Sequence, residues 1–340
     1  MARKPPGGPG AAPAAAGPTA RERVTDSLYA LGWAGLKRLP EPTAVRLGRT
    51  MADTAWKRRG RGVVQLERNL ARVVPDASPE RLAELSRAGM RSYLRYWTES
   101  FRLPVWTERM VTERVHVHDL DRLTDGIASD RGVILVLPHL GNWDLAAAYL
   151  NIGLRTPFTT VAERLKPESL YERFVAYRES LGAEVLPHQG AAAFGTLARR
   201  LRAGGLVALV ADRDLTASGV PVDFFGERAR MPGAPAMLAQ QTGALLLPAT
   251  LWFDGTPVMQ GRVYPPVEVP TTGDRREKAQ VMTQAMADVF AAGIAEHPTD
   301  WHMLQPFWDA DTGRGGDGPP ADGRGTGGRD ADTGRREEIG

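Results

Sequence analysis

Two side chains able to move a proton, His139 and Asp144, stand with four residues between them in the segment His139-Leu140-Gly141-Asn142-Trp143-Asp144. They follow the apolar run Val133–Leu137 and open a segment that reads as a helix. The carboxyl tip of a buried strand is where open α/β sheets gather ligands and catalytic groups. Imidazole suits the task of taking a proton from an attacking hydroxyl and returning it to a leaving group, because its ordinary pKa lies near neutrality. A carboxylate on the second ring nitrogen is then needed to fix the tautomer. Asp144 is one candidate for that carboxylate, Asp212 at the end of LVALVADRD is another, and Asp214 is a third. The plainer reading is that His139 caps the next helix and that Asp212 and Asp214 pair with Arg213 in a turn.

Further charges surround these positions. Glu163, Arg164 and Lys166 follow a strand-like run, and Arg178 lies on the helix after it. Cations there could hold the phosphates of a donor or of a lipid headgroup. Each taken singly reads equally as solvated surface. The stretch Val222–Gly233, with Phe224 and Phe225 adjacent, reads as a loop that either lines an acyl channel or packs on the sheet. Other chemistries lack their signatures. There is no cysteine for an acyl-enzyme or a thiolate site. A nucleophile elbow, a phosphate-binding P-loop and a zinc-binding H-E-x-x-H are also missing. General-base chemistry is the class the residues support.

The elements that must position these groups follow from periodicity. Residues 21–106 read as helices, in which Val63, Leu66 and Leu70 share one face. Before the run PERLAELSRAGM, Ser78 is placed to cap the helix, with Pro79 at its first position. The pattern then switches to strand-sized apolar runs alternating with helices: GVILVLPH, TPFTTVAER, GAEVLPH, GGLVALVADRD and GALLLPATLWF. That alternation predicts an α/β fold with a central, mostly parallel sheet flanked by helices and preceded by an N-terminal helical region.

Residues 1–20 are Pro/Gly/Ala-rich and lack the apolar core of a signal peptide; residues 312–340 carry almost no apolar side chain. Both are expected to be disordered tails around a body spanning 21–311, divided into a helical part (21–106) and an α/β core (107–311). No run approaches the roughly 20 apolar residues of a membrane span. Tyr29, Trp33, Trp56, Lys57, Arg58, Arg59 and Arg61 suggest instead a basic, aromatic face that lies on an anionic membrane. Nothing points to nucleic acid as a partner.

HLGNWD, VAERLKPESLYERFVAYRESLG, LVADRDLTASGVPVDFFGERARMPGAPAMLAQQTGALLLP and the upstream ERNLARV together resemble the lysophospholipid acyltransferase superfamily. Within it they are similar to the branch of lipid A late acyltransferases and actinobacterial phosphatidylinositol mannoside acyltransferases. The resemblance spans nearly all of the folded body. It implies a glycerolipid acyltransferase-like fold with a groove and an apolar tunnel. It also implies a long-chain acyl-CoA (typically palmitoyl) as co-substrate without a further cofactor, and a mannose hydroxyl of phosphatidylinositol mannoside as acceptor. The enzyme would sit peripherally at the cytoplasmic face of the plasma membrane. His139 and Asp144 match the family's H-x4-D, and Glu163 and Arg178 match charged groove positions. Asp212 falls where the similar proteins carry a Glu that partners the histidine, one methylene longer. Arg164 and Arg213 join the substrate-binding set.

Other readings stay open from the sequence. One is a different glycolipid acceptor, such as a lipid A-like molecule. Another is a metal-dependent phosphohydrolase built on Asp144, Asp212 and Asp214. The last is a lipid-binding protein without turnover.

Overall fold

The computed structural model describes residues 35–162, 168–187, 191–214 and 218–313. The expectations placed on residues 1–20, on most of 312–340, and on Tyr29, Trp33, Glu163, Arg164 and Lys166 lie outside the described residues.

The N-terminal part is helical: α1 (Glu41–Arg58), α2 (Arg61–Val73), α3 (Pro79–Arg102) and the short α4 (Glu108–Glu113). Ser78 caps α3, its hydroxyl accepting from the Arg81 N–H at 3.2 Å. Val63, Leu66 and Leu70 are buried against Leu85 and Met90 of α3, as the spacing requires. Trp56 is not a free membrane wedge, because its indole N–H donates to Ser86 Oγ at 2.8 Å. Arg59 is paired with Glu67. The exposed apolar side chains of α1 are Val45, Leu47 and Met51.

The chain then runs β1 (Val115–His118), α5 (Asp121–Ala128), β2 (Val133–Leu137), α6 (Trp143–Ile152), β3 (Phe158–Ala162), α7 (Glu168–Ser180) and β4 (Ala183–Pro187). It continues through α8 (Ala191–Arg202), β5 (Leu206–Val210), β6 (Val220–Phe224), β7 (Glu227–Met231), α9 (Ala234–Thr242), β8 (Leu245–Phe253), β9 (Met259–Val263) and α10 (Arg275–Glu296). A seven-stranded sheet has the order β1-β9-β8-β2-β5-β3-β4. Strands β2, β3, β4, β5 and β8 are parallel; β9 is antiparallel to β8, and β1 pairs parallel to β9. All of Val133–Leu137 is buried, as expected of a central parallel strand covered on both faces.

Alternate residues of β2 face two cores. Ile134 and Val136 join Leu197 of α8, Leu238 of α9 and Phe290 of α10, whereas Leu135 and Leu137 face α5 and α6. The stretch 222–233 is a hairpin rather than a loop. Phe225 and Gly226 between β6 and β7 both have positive φ (54° and 76°), the backbone of a tight type I′ turn. Phe at the first turn position hides the usual Asn-Gly or Asp-Gly signal. Phe224 packs into the core beside Trp301, Phe307 and Trp308.

One irregularity of the sheet bears on the site. Strand β2 pairs with β5 over five residues and β3 with β4 over five, but β3 pairs with β5 only at Phe158↔Leu206 and Thr159↔Val207. Beyond that point β3 and β5 part toward their carboxyl ends.

Candidate active site

Register brings the proton-handling residues together. Leu137 of β2 lies opposite Val210 of β5, and the Ala211 N–H donates to the Leu137 carbonyl at 2.8 Å. His139 and Asp212 each come two residues later, so they face one another across adjacent strand tips. His139 Nδ1 stands 2.6 Å from Asp212 Oδ1. Asp212 Oδ2 accepts from the His139 backbone N–H at 3.0 Å and from the Trp301 indole N–H at 3.1 Å. The carboxylate is fully buried. Burial pushes its pKa up, but the His139 ring and these N–H donors more than offset that, and the net shift is downward. A carboxylate on Nδ1 puts the ring proton there and leaves Nε2 as the basic nitrogen. The histidine side chain is 31% exposed, at the mouth of a cavity.

The backbone around His139 is clamped from the far end of the chain. The His302 N–H donates to the His139 carbonyl at 2.8 Å and the Gly141 N–H to the Asp300 carbonyl at 3.0 Å. Gly141 has φ +66°, and a Cβ there would lie 2.9 Å from Leu251 backbone atoms, so this turn of HLGNWD requires glycine. Asn142 then caps α6, its side chain accepting from the Leu145 N–H at 3.0 Å.

Asp144 has another job. It is buried in the first turn of α6 and accepts from the Tyr96 hydroxyl at 2.9 Å and from Arg178 Nε at 3.3 Å. Of the carboxylates weighed for the imidazole, Asp212 holds it, while Asp144 ties α6 to α3 and α7. The shared H-x4-D spacing therefore reflects two separate hydrogen-bond sets. Asp214 accepts from the Gly219 N–H at 3.1 Å, in the turn before β6. Asp144, Asp212 and Asp214 form no common cluster. Among the described residues no group of three or more His, Cys, Asp or Glu side chains is arranged to hold a metal ion. Arg178 and Arg213 both border the cavity.

The cavity holds about 550 Å³. One part lies between α6 and the sheet face made by Leu135, Leu137, Ala208, Val210, Ala249 and Leu251, another reaches Leu209, Phe194, Leu197 and Met237 on the opposite face, and the wall is largely apolar. Thr160 to Ala162 of β3, which pair with β4 but no longer with β5, also line it. Trp143 meets the His139 ring edge-on at 5.1 Å and packs on Tyr96 at 4.0 Å, forming one side of the mouth. Sequence spacing gave no sign of Tyr96 or Trp301, each of which reaches its carboxylate from a distant segment.

The profile of the bacterial lipid A biosynthesis acyltransferase family matches residues 19–310. The chain belongs to this family. It is 50% identical over 293 residues to a phosphatidylinositol mannoside acyltransferase of Mycolicibacterium smegmatis, covering 85% of this chain and 93% of that protein. It is 49% identical over 298 residues to proteins of that name from two strains of Mycobacterium tuberculosis, CDC 1551 / Oshkosh and H37Rv, covering 85% of this chain and 90% of each. The fold expected of this acyltransferase family, a mostly parallel sheet with flanking helices behind a helical N-terminal region, is the fold observed.

Proposed function

We propose that this acyltransferase moves a long-chain acyl group from acyl-CoA to a mannose hydroxyl of phosphatidylinositol mannoside, with His139 as general base. The observation that carries the reading is the His139 ring, held through Nδ1 by buried Asp212 at the mouth of an apolar cavity. In this mechanism the acceptor hydroxyl loses its proton to His139 Nε2 as its oxygen attacks the thioester carbonyl carbon. The C–O bond forms, the C–S bond breaks, and the imidazolium returns the proton to the departing thiolate. Asp212 stabilises the transient positive ring.

The acyl chain would occupy the cavity under α6, and Arg213 and Arg178 at its border are suited to anionic parts of donor or acceptor. Glu163, from the family resemblance, and Arg164, from its charge beside it in the sequence, are proposed to join the substrate-binding set. The names of the half-identical relatives support the mannosylated acceptor. The family description, which names lipid A biosynthesis, supports a lipid A-like acceptor as the second reading. No helix among the described residues is long and apolar enough to cross a membrane. Peripheral binding at the cytoplasmic face through the exposed side chains and cations of α1 fits the supply of acyl-CoA.

The test is thiol release from palmitoyl-CoA with purified protein and either acceptor. Release that depends on phosphatidylinositol mannoside, and that is lost in His139→Ala, is the expected result. Release without any acceptor, or dependent only on a lipid A precursor, overturns the acceptor assignment.

A further inference from the structure

The cavity under α6 is not equally deep in all directions. Toward β8 and β9 its sheet wall reaches down only to Ala249 and Val263. Val136 pairs with Pro248, so these two lie level with Leu137, just below His139, and Leu120 and Leu123 close that arm. Toward β5, β3 and β4 it runs farther, over the small side chains of Ala208, Thr160 and Ala162, to Phe158. Phe158 pairs with Leu206 and Leu206 with Val133, so it lies level with a residue six positions before His139 and two strands aside. At about 3.3 Å per residue and about 4.8 Å per strand, that end is about 22 Å from the His139 position.

An extended alkyl chain advances about 1.25 Å per carbon, from C–C bonds of about 1.5 Å at tetrahedral angles. The deep arm therefore takes on the order of sixteen carbons once the side chains at both ends are allowed for. Phe158 and Leu154 border its far end, and Phe158 is buried there against Ala183. The widening that admits the chain comes from the parting of β3 and β5, which removes the sheet pairing alongside Thr160–Ala162.

We propose that Phe158 is the stop that sets the longest acyl chain this enzyme transfers, and that the chain lies along β5 and β3 rather than β8 and β9. This rests on the reading of the cavity as the donor's acyl site. Ala208 provides the complementary handle. It lies level with Leu135, about 14 Å from the His139 position by the same spacings, a reach of roughly eleven carbons. A larger side chain there blocks the arm halfway.

The experiment is acceptor-dependent thiol release across saturated acyl-CoA donors from ten to twenty carbons, comparing kcat/KM profiles. Each methylene taken into or refused by the cavity is worth about fourfold. The wild-type profile should fall beyond sixteen to eighteen carbons. Phe158→Ala should raise the twenty-to-sixteen-carbon ratio by at least about tenfold, and Ala208→Leu should move the optimum to twelve carbons or fewer. Phe158→Leu gives the same direction more weakly, should the alanine variant fail to fold. Leu123→Ala, which opens the shallow arm, should leave the profile in place. A Phe158 variant that turns over with the wild-type profile overturns the stop, and lengthening by Leu123→Ala instead overturns the path. If the wild type releases thiol from no donor of any length, the donor reading itself fails and the proposal falls with it; that result differs from transfer with an unmoved profile.

Discussion

Replacing Asp212 by Asn should damage catalysis through the tautomer of His139 more than through loss of charge. Asp212 Oδ2 faces two donors that cannot reverse, the His139 backbone N–H and the Trp301 indole N–H. In the Asn variant the amide oxygen must take that position, which turns the NH2 group toward His139 Nδ1. Nδ1 then has to accept, so the ring proton moves to Nε2 and the base is lost. Flipping the amide to rescue the tautomer would leave two buried donors unmatched, at about 1–3 kcal/mol each. The wrong tautomer is therefore favoured by about 2–6 kcal/mol, a fall in kcat of about 30-fold to about 10⁴-fold. Asp212→Ala, which imposes no tautomer, should be no worse than Asp212→Asn. Asp212→Glu keeps the acceptor-only chemistry and should be the mildest of the three. Single-turnover thiol release, with folding checked by cooperative melting, measures all of them. An Asn variant within tenfold of wild type, or one clearly more active than the Glu variant, refutes the tautomer argument.

Arg178→Ala should leave the buried Asp144 carboxylate with Tyr96 as its remaining partner and cost about 3–5 kcal/mol of stability by denaturant unfolding, beyond its effect on turnover. His302, buried against Tyr93 and Tyr96 of α3, has its pKa pushed down to about 3, first by burial and then by His139. Below the ordinary value near 6.5 the unfolded chain takes up a proton that the folded chain refuses, so stability falls as pH drops from about 6.5 toward 3, by up to about 1.4 kcal/mol per unit. His302→Gln should flatten that part of the pH–stability curve. Vesicle binding should require anionic lipid and weaken with added salt, and Leu47→Asp with Met51→Asp on α1 should reduce it; equal binding to neutral vesicles at all salt concentrations would contradict an electrostatic contribution.

The parts of the fold legible in the sequence are those where one physical rule dominates. The run VILVL is apolar on both faces, short and bounded by Gly132 and Pro138, as a central strand is, and Ser78-Pro79 marks a helix start. Elements fixed by tertiary context were silent. Strand β1 reads VHVH, four residues at the sheet's edge with His116 exposed and His118 half-buried against Trp252. The hairpin β6–β7 turns on a Phe with positive φ. Helix α10 is anchored by a capping box, Asp274 with Glu277, that is visible only once a helix is suspected there.

The site divides along the same line. A histidine at a strand tip can be read from one segment, because the strand and the polar turn after it are contiguous. Its partner cannot, because pairing depends on which strands are neighbours and in what register. The local spacing favours Asp144, five residues on, yet α6 begins between the two and carries Asp144 over to Tyr96 and Arg178. Asp212, 73 residues on, arrives opposite His139 because β5 lies beside β2 with Val210 level with Leu137. The two tips are level, so one short carboxylate spans the ring nitrogen and the backbone N–H of the same histidine, and Trp301 donates to its second oxygen. The imidazole is thus fixed in position and tautomer by a strand register and a C-terminal tryptophan. Only its free nitrogen is left facing the cavity.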